Sequence, residues 1–334
     1  MNAYQYTEAV SLDRLQLVVQ PDPSPAPGQA VVRVRACSLN FRDTLVAAGN
    51  YGRSVKAPLI PLSDGAGEVV AVGEGVTRVK VGDRVAGIFF QTWIEGNIDD
   101  RKTASALGGA IDGMLAEMVC LNAEGLVHIP AHLSYEEAAT LPCAAVTAWN
   151  ALFRSANVRP GETVLVLGTG GVSIFALQFA KMAGARVIAT SSSDAKLEKV
   201  RALGADETIN YKTTPAWDKA VRELTGGVGV DHIVEVGGAG TLPLSIKAVR
   251  NHGHIALIGV LTAGEIDPRP ILTKSIRLHG IYVGSREMFD QMNAAIAQAK
   301  LKPQIDKVFP FDQAKEAYRH MTGATHFGKI VISV

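Results

Sequence analysis

Short apolar, β-branched runs broken by Gly, Pro and Asp occupy roughly the first 130 residues: QAVVRVRACSL at 29–39, GAGEVVAVG at 65–73 and GDRVAGIF at 82–89. Such alternation predicts strands bent into an irregular barrel. The texture changes at 126–142, LVHIPAHLSYEEAATLP, where Ser134 and Glu137 have the spacing of a capping box that opens a helix. After the turn signal Arg159-Pro160-Gly161, compact apolar runs alternate with amphipathic stretches for about 120 residues. Strands are predicted at 163–167, 186–190, 232–236, 254–258 and 276–283. Several are apolar throughout, as parallel strands covered on both faces must be. Right-handed crossovers then build a doubly wound parallel sheet. A helix is expected over 288–301 and a closing strand over 328–334. The fold class is therefore α/β, with a β-rich domain over 1–133 and 286–334 and a doubly wound domain over 134–285.

Composition narrows the class. The 334 residues are 47% hydrophobic and 19% charged, with a formal net charge of +1. That balance gives no basic footprint for nucleic acid or for an acidic membrane, so a small molecule is the expected partner. The 18 uncharged residues 163–180 are long enough to span a bilayer by count alone. Gly168, Gly170, Gly171 and Gln178 read instead as strand, tight turn and helix. The first residues lack a basic-then-apolar leader, and Cys37, Cys120 and Cys143 are odd in number and far apart. A cytosolic protein with reduced thiols is the expectation.

The segment 164–184, VLVLGTGGVSIFALQFAKMAG, places Gly168-x-Gly170-Gly171 where a buried strand gives way to an apolar helix. Gly168 allows the turn, and Gly170 lets backbone approach a pyrophosphate. Gly171 and Val172 then open a helix whose free N–H groups favour an anion. Ser173 takes the place of the usual third Gly or Ala. About 20 residues on, an NAD enzyme usually carries an acidic residue for the ribose. Here Ser191, Ser192 and Ser193 stand there, with Lys196 following. Hydroxyls and a cation suit a 2′-phosphate, so NADPH is the expected cofactor. Asp194 is the competing carboxylate, and the serines also suit a helix cap.

Several separate motifs make the chain resemble the medium-chain dehydrogenase/reductase superfamily over nearly its whole length: 61–85 (PLSDGAGEVVAVGEGVTRVKVGDRV), 141–149 (LPCAAVTAW), the glycine turn, and 326–334 (HFGKIVISV). The resemblance implies a GroES-like catalytic domain beside a Rossmann domain. Zinc alcohol dehydrogenases of this superfamily carry metal ligands at positions that correspond here to Asn40, Ser63-Asp64 and Cys143. Only the last keeps a ligand, and one ligand does not hold a catalytic zinc. Cys120 is the sole cysteine between residues 38 and 142, so the structural four-cysteine lobe is missing too. Arg42 falls at the proton-relay hydroxyl. His252 and His254 have no thiol or acidic neighbour in sequence, so no metal is expected.

What remains resembles the zinc-independent quinone oxidoreductase branch, which shares Asn40-Phe41-x-Asp43 and Gly49-x-Tyr51. Leu45 departs from it, since many members have Tyr there. Without a Lewis acid, such an enzyme must hold its acceptor and donate hydrogen bonds to the charge that develops, which suits a quinone or an enone. Asn40 is the expected polarising group. Tyr51 either supplies a proton or hydrogen bond, or packs in its loop. Arg42 and Asp43 read as a structural ion pair or backbone clamp. By resemblance Thr147 contacts the nicotinamide, Tyr211 and Lys196 flank the adenosine phosphate, Gly259 and Val260 line the coenzyme crevice, and Lys329 reaches the pyrophosphate. The resemblance also implies a homodimer paired through 275–283. Two other readings stay open: an alcohol dehydrogenase for small alcohols or aldehydes, and a non-catalytic NADPH-binding crystallin-like or sensor protein.

Overall fold

The structure, a computed structural model, describes residues 1–8, 10–51, 55, 57–259 and 261–334. The chain forms two compact units, Met1–Val146 with Gly284–Val334, and Thr147–Val283. The first unit extends past the 133/134 boundary expected from sequence. The helix Tyr135–Ala139 packs on strands Gln29–Leu39 and Asp64–Val72 of that unit. Its capping box is formed, with Ser134 N–H on Glu137 Oε2 at 2.8 Å and Glu137 N–H on Ser134 Oγ at 3.2 Å.

The first unit is built on a sheet whose strands run in the order Ile305–Pro310, Lys329–Ser333, Gln29–Leu39, Asp64–Val72, Arg84–Gly87, Leu126–His128, with Met118–Asn122 also paired to Gln29–Leu39. All pairs are antiparallel except the first. Register shifts at Val31/Val32 and Val34/Ala36 bend the long strand 29–39, as bulges in a closing sheet do. Gly67 is required beside the second shift, because a Cβ there would lie 2.1 Å from the Arg33 carbonyl oxygen. The core beneath collects Tyr6, Leu15, Leu39, Leu62, Leu107 and Tyr318.

The second unit is a six-stranded parallel sheet in the order Glu207–Asn210, Arg186–Ser191, Thr163–Leu167, Val230–Glu235, Val249–Leu257, Arg277–Gly280. Its order reverses after Thr163–Leu167, the topological switch point of doubly wound sheets. The strand Glu207–Asn210 escaped the sequence reading because ETIN is short and half polar at a sheet edge. The expected strand 276–283 shrinks to Arg277–Gly280: its partner ends at Leu257, opposite Gly280, and Ser275 and Val283 take left-handed φ values of +50° and +57°. No helix among the described residues is long and apolar enough to cross a membrane. The uncharged 163–180 stretch divides into the strand and the first part of helix Gly171–Met182.

His254 is buried on its strand, with Nε2 2.8 Å from Ser155 Oγ, which also meets His279 Nδ1 at 2.5 Å. The His232 ring lies 6.0 Å away and is held by Glu162 at 2.9 Å. Burial, followed by the nearby His232, Arg277 and His279, holds the His254 imidazole down to about 3. A histidine depressed in the folded state supports stability above its unfolded value near 6.5 and loses it as pH falls toward 3. Urea denaturation between pH 7 and 4 should therefore show wild type losing more stability than His254→Gln, at up to about 1.4 kcal/mol per pH unit. Parallel curves for the two proteins would contradict this.

Candidate active site

At the end of strand Gln29–Leu39 the chain turns at Asn40, the N-cap of helix Phe41–Ala47. Asp43 accepts the Asn40 N–H at 2.8 Å, and the Asp43 N–H returns to the Asn40 carbonyl at 2.9 Å. This reciprocal cap fixes the Asn40 backbone. Arg42 lies beneath it, with Nη1 donating to the Leu107 carbonyl at 2.8 Å and meeting Asp43 Oδ1 at 3.3 Å. Its guanidinium carbon sits 4.7 Å from the Tyr51 ring centre and 4.9 Å from that of Phe89. Two aromatic faces thus enclose a buried cation. Gly109 is needed here, since a Cβ would lie 2.4 Å from Arg42 Nη2. Burial pushes the Asp43 carboxyl up to about 6, against the pull of Arg42 and of the Asn40 N–H.

Lys329 opens the last strand, Lys329–Ser333, which pairs with the strand that ends at Leu39. Its ammonium donates to the Leu39 carbonyl at 2.6 Å and to Asn40 Oδ1 at 2.5 Å, and lies 4.0 Å from Asp64 Oδ2. This corrects the expectation that Lys329 reaches a pyrophosphate: the side chain is 2% exposed and committed inside the first unit. Asp64 is fully buried, accepting from Ser63 Oγ at 2.8 Å and from the Cys143 N–H at 3.1 Å. Burial raises its carboxyl above the ordinary range, with Lys329 opposing. Cys143 stands in the wide turn Leu141–Ala145, and burial pushes its thiol up.

The residues at the expected zinc positions do not fit that ion. Asn40 Oδ1 already faces an ammonium, and both oxygens of Asp64 already accept a hydrogen bond, from Ser63 Oγ and from the Cys143 N–H. Cys143 is the one residue of the set that keeps the expected zinc-ligand side chain, and one ligand does not hold a catalytic zinc. No metal-binding group of His, Cys, Asp and Glu occurs among the described residues. Among the described residues, the buried side-chain atoms of this cluster that are not fully paired include the donors Asn40 Nδ2 and Arg42 Nε and Nη2.

In the second unit the glycine turn takes the form that anion binding requires. Gly168 has φ +73°, and a Cβ on Gly168 or Gly170 would stand in open space. Gly170 caps helix Gly171–Met182 without a side-chain hydrogen bond, so the first-turn N–H groups, from Gly171 and Val172 on, lack an internal partner. Ser173 donates from Oγ to the Leu167 carbonyl at 2.6 Å and packs the helix on its strand, which explains why it can replace Gly or Ala. A dinucleotide pyrophosphate fits this cradle.

Ser191 ends its strand and is buried, while Ser192 and Lys196 are half-buried. Ser193 is the N-cap of helix Asp194–Ala202. Tyr211 is brought beside them by its N–H bond to the Ser191 carbonyl at 3.0 Å. Asp194 is exposed, and its Oδ1 accepts from Asn210 Nδ2 at 2.7 Å. Thr147 is buried at the start of the unit. Gly259 is demanded by packing, since a Cβ would lie 1.7 Å from the Val236 carbonyl oxygen. Val260 lies outside the described residues.

One residue of this unit escaped the sequence reading. Glu235 is fully buried at its strand's carboxyl end, accepting from Gly237 N–H at 2.8 Å, Gly238 N–H at 3.2 Å, Thr241 Oγ1 at 2.5 Å and the Ser245 hydroxyl. An isolated Glu before a Gly-Gly pair in an apolar run was the available signal.

Residues 26–131 match the alcohol dehydrogenase GroES-like domain, and 171–298 match the zinc-binding dehydrogenase domain. A zinc-type alcohol dehydrogenase-like protein of Schizosaccharomyces pombe is 48% identical over 92% of this chain and 91% of its own length. The quinone oxidoreductase of Rattus norvegicus is 31% identical over 93% and 90%. The crystal structure of a protein from Sinorhizobium meliloti 1021, described as a putative alcohol dehydrogenase, superposes with TM-score 0.93 at 41% identity, covering 100% of this chain and 98% of that one. With a GroES-like unit, a doubly wound unit and these relatives over nearly its full length, the chain belongs to the medium-chain dehydrogenase/reductase superfamily and is an oxidoreductase.

Proposed function

We propose that this chain is an NADPH-dependent reductase that works without zinc and reduces a quinone or an α,β-unsaturated carbonyl. The observation that carries the reading is the chemistry around Asn40: a buried amide whose N–H₂ is not fully paired among the described residues, and an ammonium among the residues at the metal-ligand positions. Such a site offers hydrogen bonds to an acceptor oxygen that gains negative charge. The kinship with a quinone oxidoreductase supports the same substrate class.

NADPH supplies hydride when bound. Gly168, Gly170, Gly171 and Val172 would hold its pyrophosphate, and Ser191, Ser192, Lys196 and Tyr211 its adenosine 2′-phosphate. Thr147, Gly259 and Val260 complete the coenzyme set. Asn40 Nδ2 donates to the substrate oxygen, and Tyr51 supplies a further hydrogen bond or the proton. Cys37, Cys120 and Cys143, none of them in a disulfide, support a reducing, cytosolic setting. The outermost strand Arg277–Gly280 supports a homodimer joined edge to edge.

Steady-state assays with quinones and enones, with and without a chelator, test this. NADPH should outperform NADH at least about tenfold in kcat/KM, and Lys196→Ala should remove most of that preference, the worth of one charge-assisted hydrogen bond. The chelator should change nothing. Zinc at one equivalent with turnover of small alcohols would establish the alcohol dehydrogenase reading instead. Tight NADPH binding without turnover would establish a binding protein.

A further inference from the structure

The Lys329–Asn40 contact joins two side chains that are 2% and 8% exposed, respectively. They start from neighbouring strands at one register, with Ile330 opposite Leu39. An ammonium carries donors and no acceptor, so the carboxamide atom 2.5 Å from Lys329 Nζ must be the oxygen. Once Oδ1 is held there, Nδ2 occupies the opposite end of the planar amide, on the side of the Asp64 carboxylate, and makes no further hydrogen bond to a described residue. The backbone cannot relieve this, because the Asp43 cap holds both the N–H and the carbonyl of Asn40. The ammonium is itself fixed by the Leu39 carbonyl and faced by Asp64.

We propose that Lys329 is a positioning residue whose ammonium locks the Asn40 carboxamide with its oxygen inward and its N–H₂ presented to the acceptor oxygen of the substrate. The inference rests on the role given to Asn40 above. A flipped amide would turn a lone pair toward that oxygen and repel it. A charge-assisted bond to Oδ1 also draws electron density from the nitrogen, which strengthens Nδ2 as a donor. Lys329 thereby acts through Asn40 and touches neither coenzyme nor substrate.

The test compares Lys329→Met and Lys329→Gln with wild type in the full-length protein, using NADPH and an enone. Lys329→Met should lower kcat about 10- to 100-fold, the worth of a charge-assisted hydrogen bond, with the Kd for NADPH within about twofold. Lys329→Gln, whose amide can still donate to Oδ1, should recover part of the loss. Combining Lys329→Met with Asn40→Ala should be no slower than Asn40→Ala alone, as for two residues acting through one contact. Full kcat in Lys329→Met beside a slow Asn40→Ala overturns the positioning role and leaves the Asn40 reading standing. If Asn40→Ala is itself as fast as wild type, the reading fails, and the positioning is decided by NMR. The Asn40 side-chain amide signal, assigned by its loss in Asn40→Ala, should be as ordered as the backbone in wild type and disordered in Lys329→Met. A disordered amide in wild type overturns the proposal even if neither Lys329 variant folds.

Discussion

Asn40→Ala should reduce kcat for an enone or quinone about 100- to 1,000-fold, the usual cost of removing one preorganised donor from developing negative charge. The affinity for NADPH should stay within about twofold, because every residue assigned to the coenzyme lies in the other unit. Alanine also strips Lys329 of one acceptor, which adds a stability cost of about 1–3 kcal/mol and complicates a loss of activity on its own. Asn40→Asp separates the two effects. It keeps an acceptor for the ammonium and removes the amide donor, at the cost of a third carboxylate near buried Asp43 and Asp64, so with its folding checked by urea denaturation at neutral pH it should be as slow as the alanine variant. An aspartate variant with wild-type kcat would show that Nδ2 donates nothing to the reaction.

The second large effect is expected far from any substrate. Glu235→Ala should destabilise the protein by about 3–5 kcal/mol, measured by urea denaturation at neutral pH. The fully buried carboxyl group gathers the N–H groups of Gly237 and Gly238 and the hydroxyls of Thr241 and Ser245. Two backbone donors are left buried and unpaired when it goes, and each costs about 1–3 kcal/mol. The hydroxyls can turn to other acceptors, which the backbone cannot do. A loss below about 1 kcal/mol would mean that the 237–241 turn opens to solvent without resistance.

The doubly wound unit was legible because its physics is local. A run such as VLVL at 164–167 is apolar at every position only when both faces are covered, and Gly168-x-Gly170 follows it directly. The Ser134 capping box was legible for the same reason, since its partners are three residues apart. What failed was what depends on a neighbouring strand. The edge strand Glu207–Asn210 has no pattern of its own, and the strand expected over 276–283 ends where its partner ends.

The candidate site divides along the same line. The resemblance to the superfamily was enough to name Asn40, Ser63-Asp64 and Cys143 as positions from which the expected zinc ligands had largely gone. They could not say what stands among those residues. Lys329 lies 289 positions from Asn40 in the chain, and a lysine in a closing β-run reads equally well as a phosphate ligand. Pairing of the last strand with Gln29–Leu39 brings its ammonium to the Leu39 carbonyl and the Asn40 amide. The same holds for Asp194, whose Oδ1 meets Asn210 at the end of the edge strand, a partner 16 residues away that no local pattern announces. Residue types and short spacings establish which chemistry is available. Long-range strand pairing and burial establish which atoms face each other, because an ion or an amide in a dry interior takes whichever partner the fold carries to within hydrogen-bond reach.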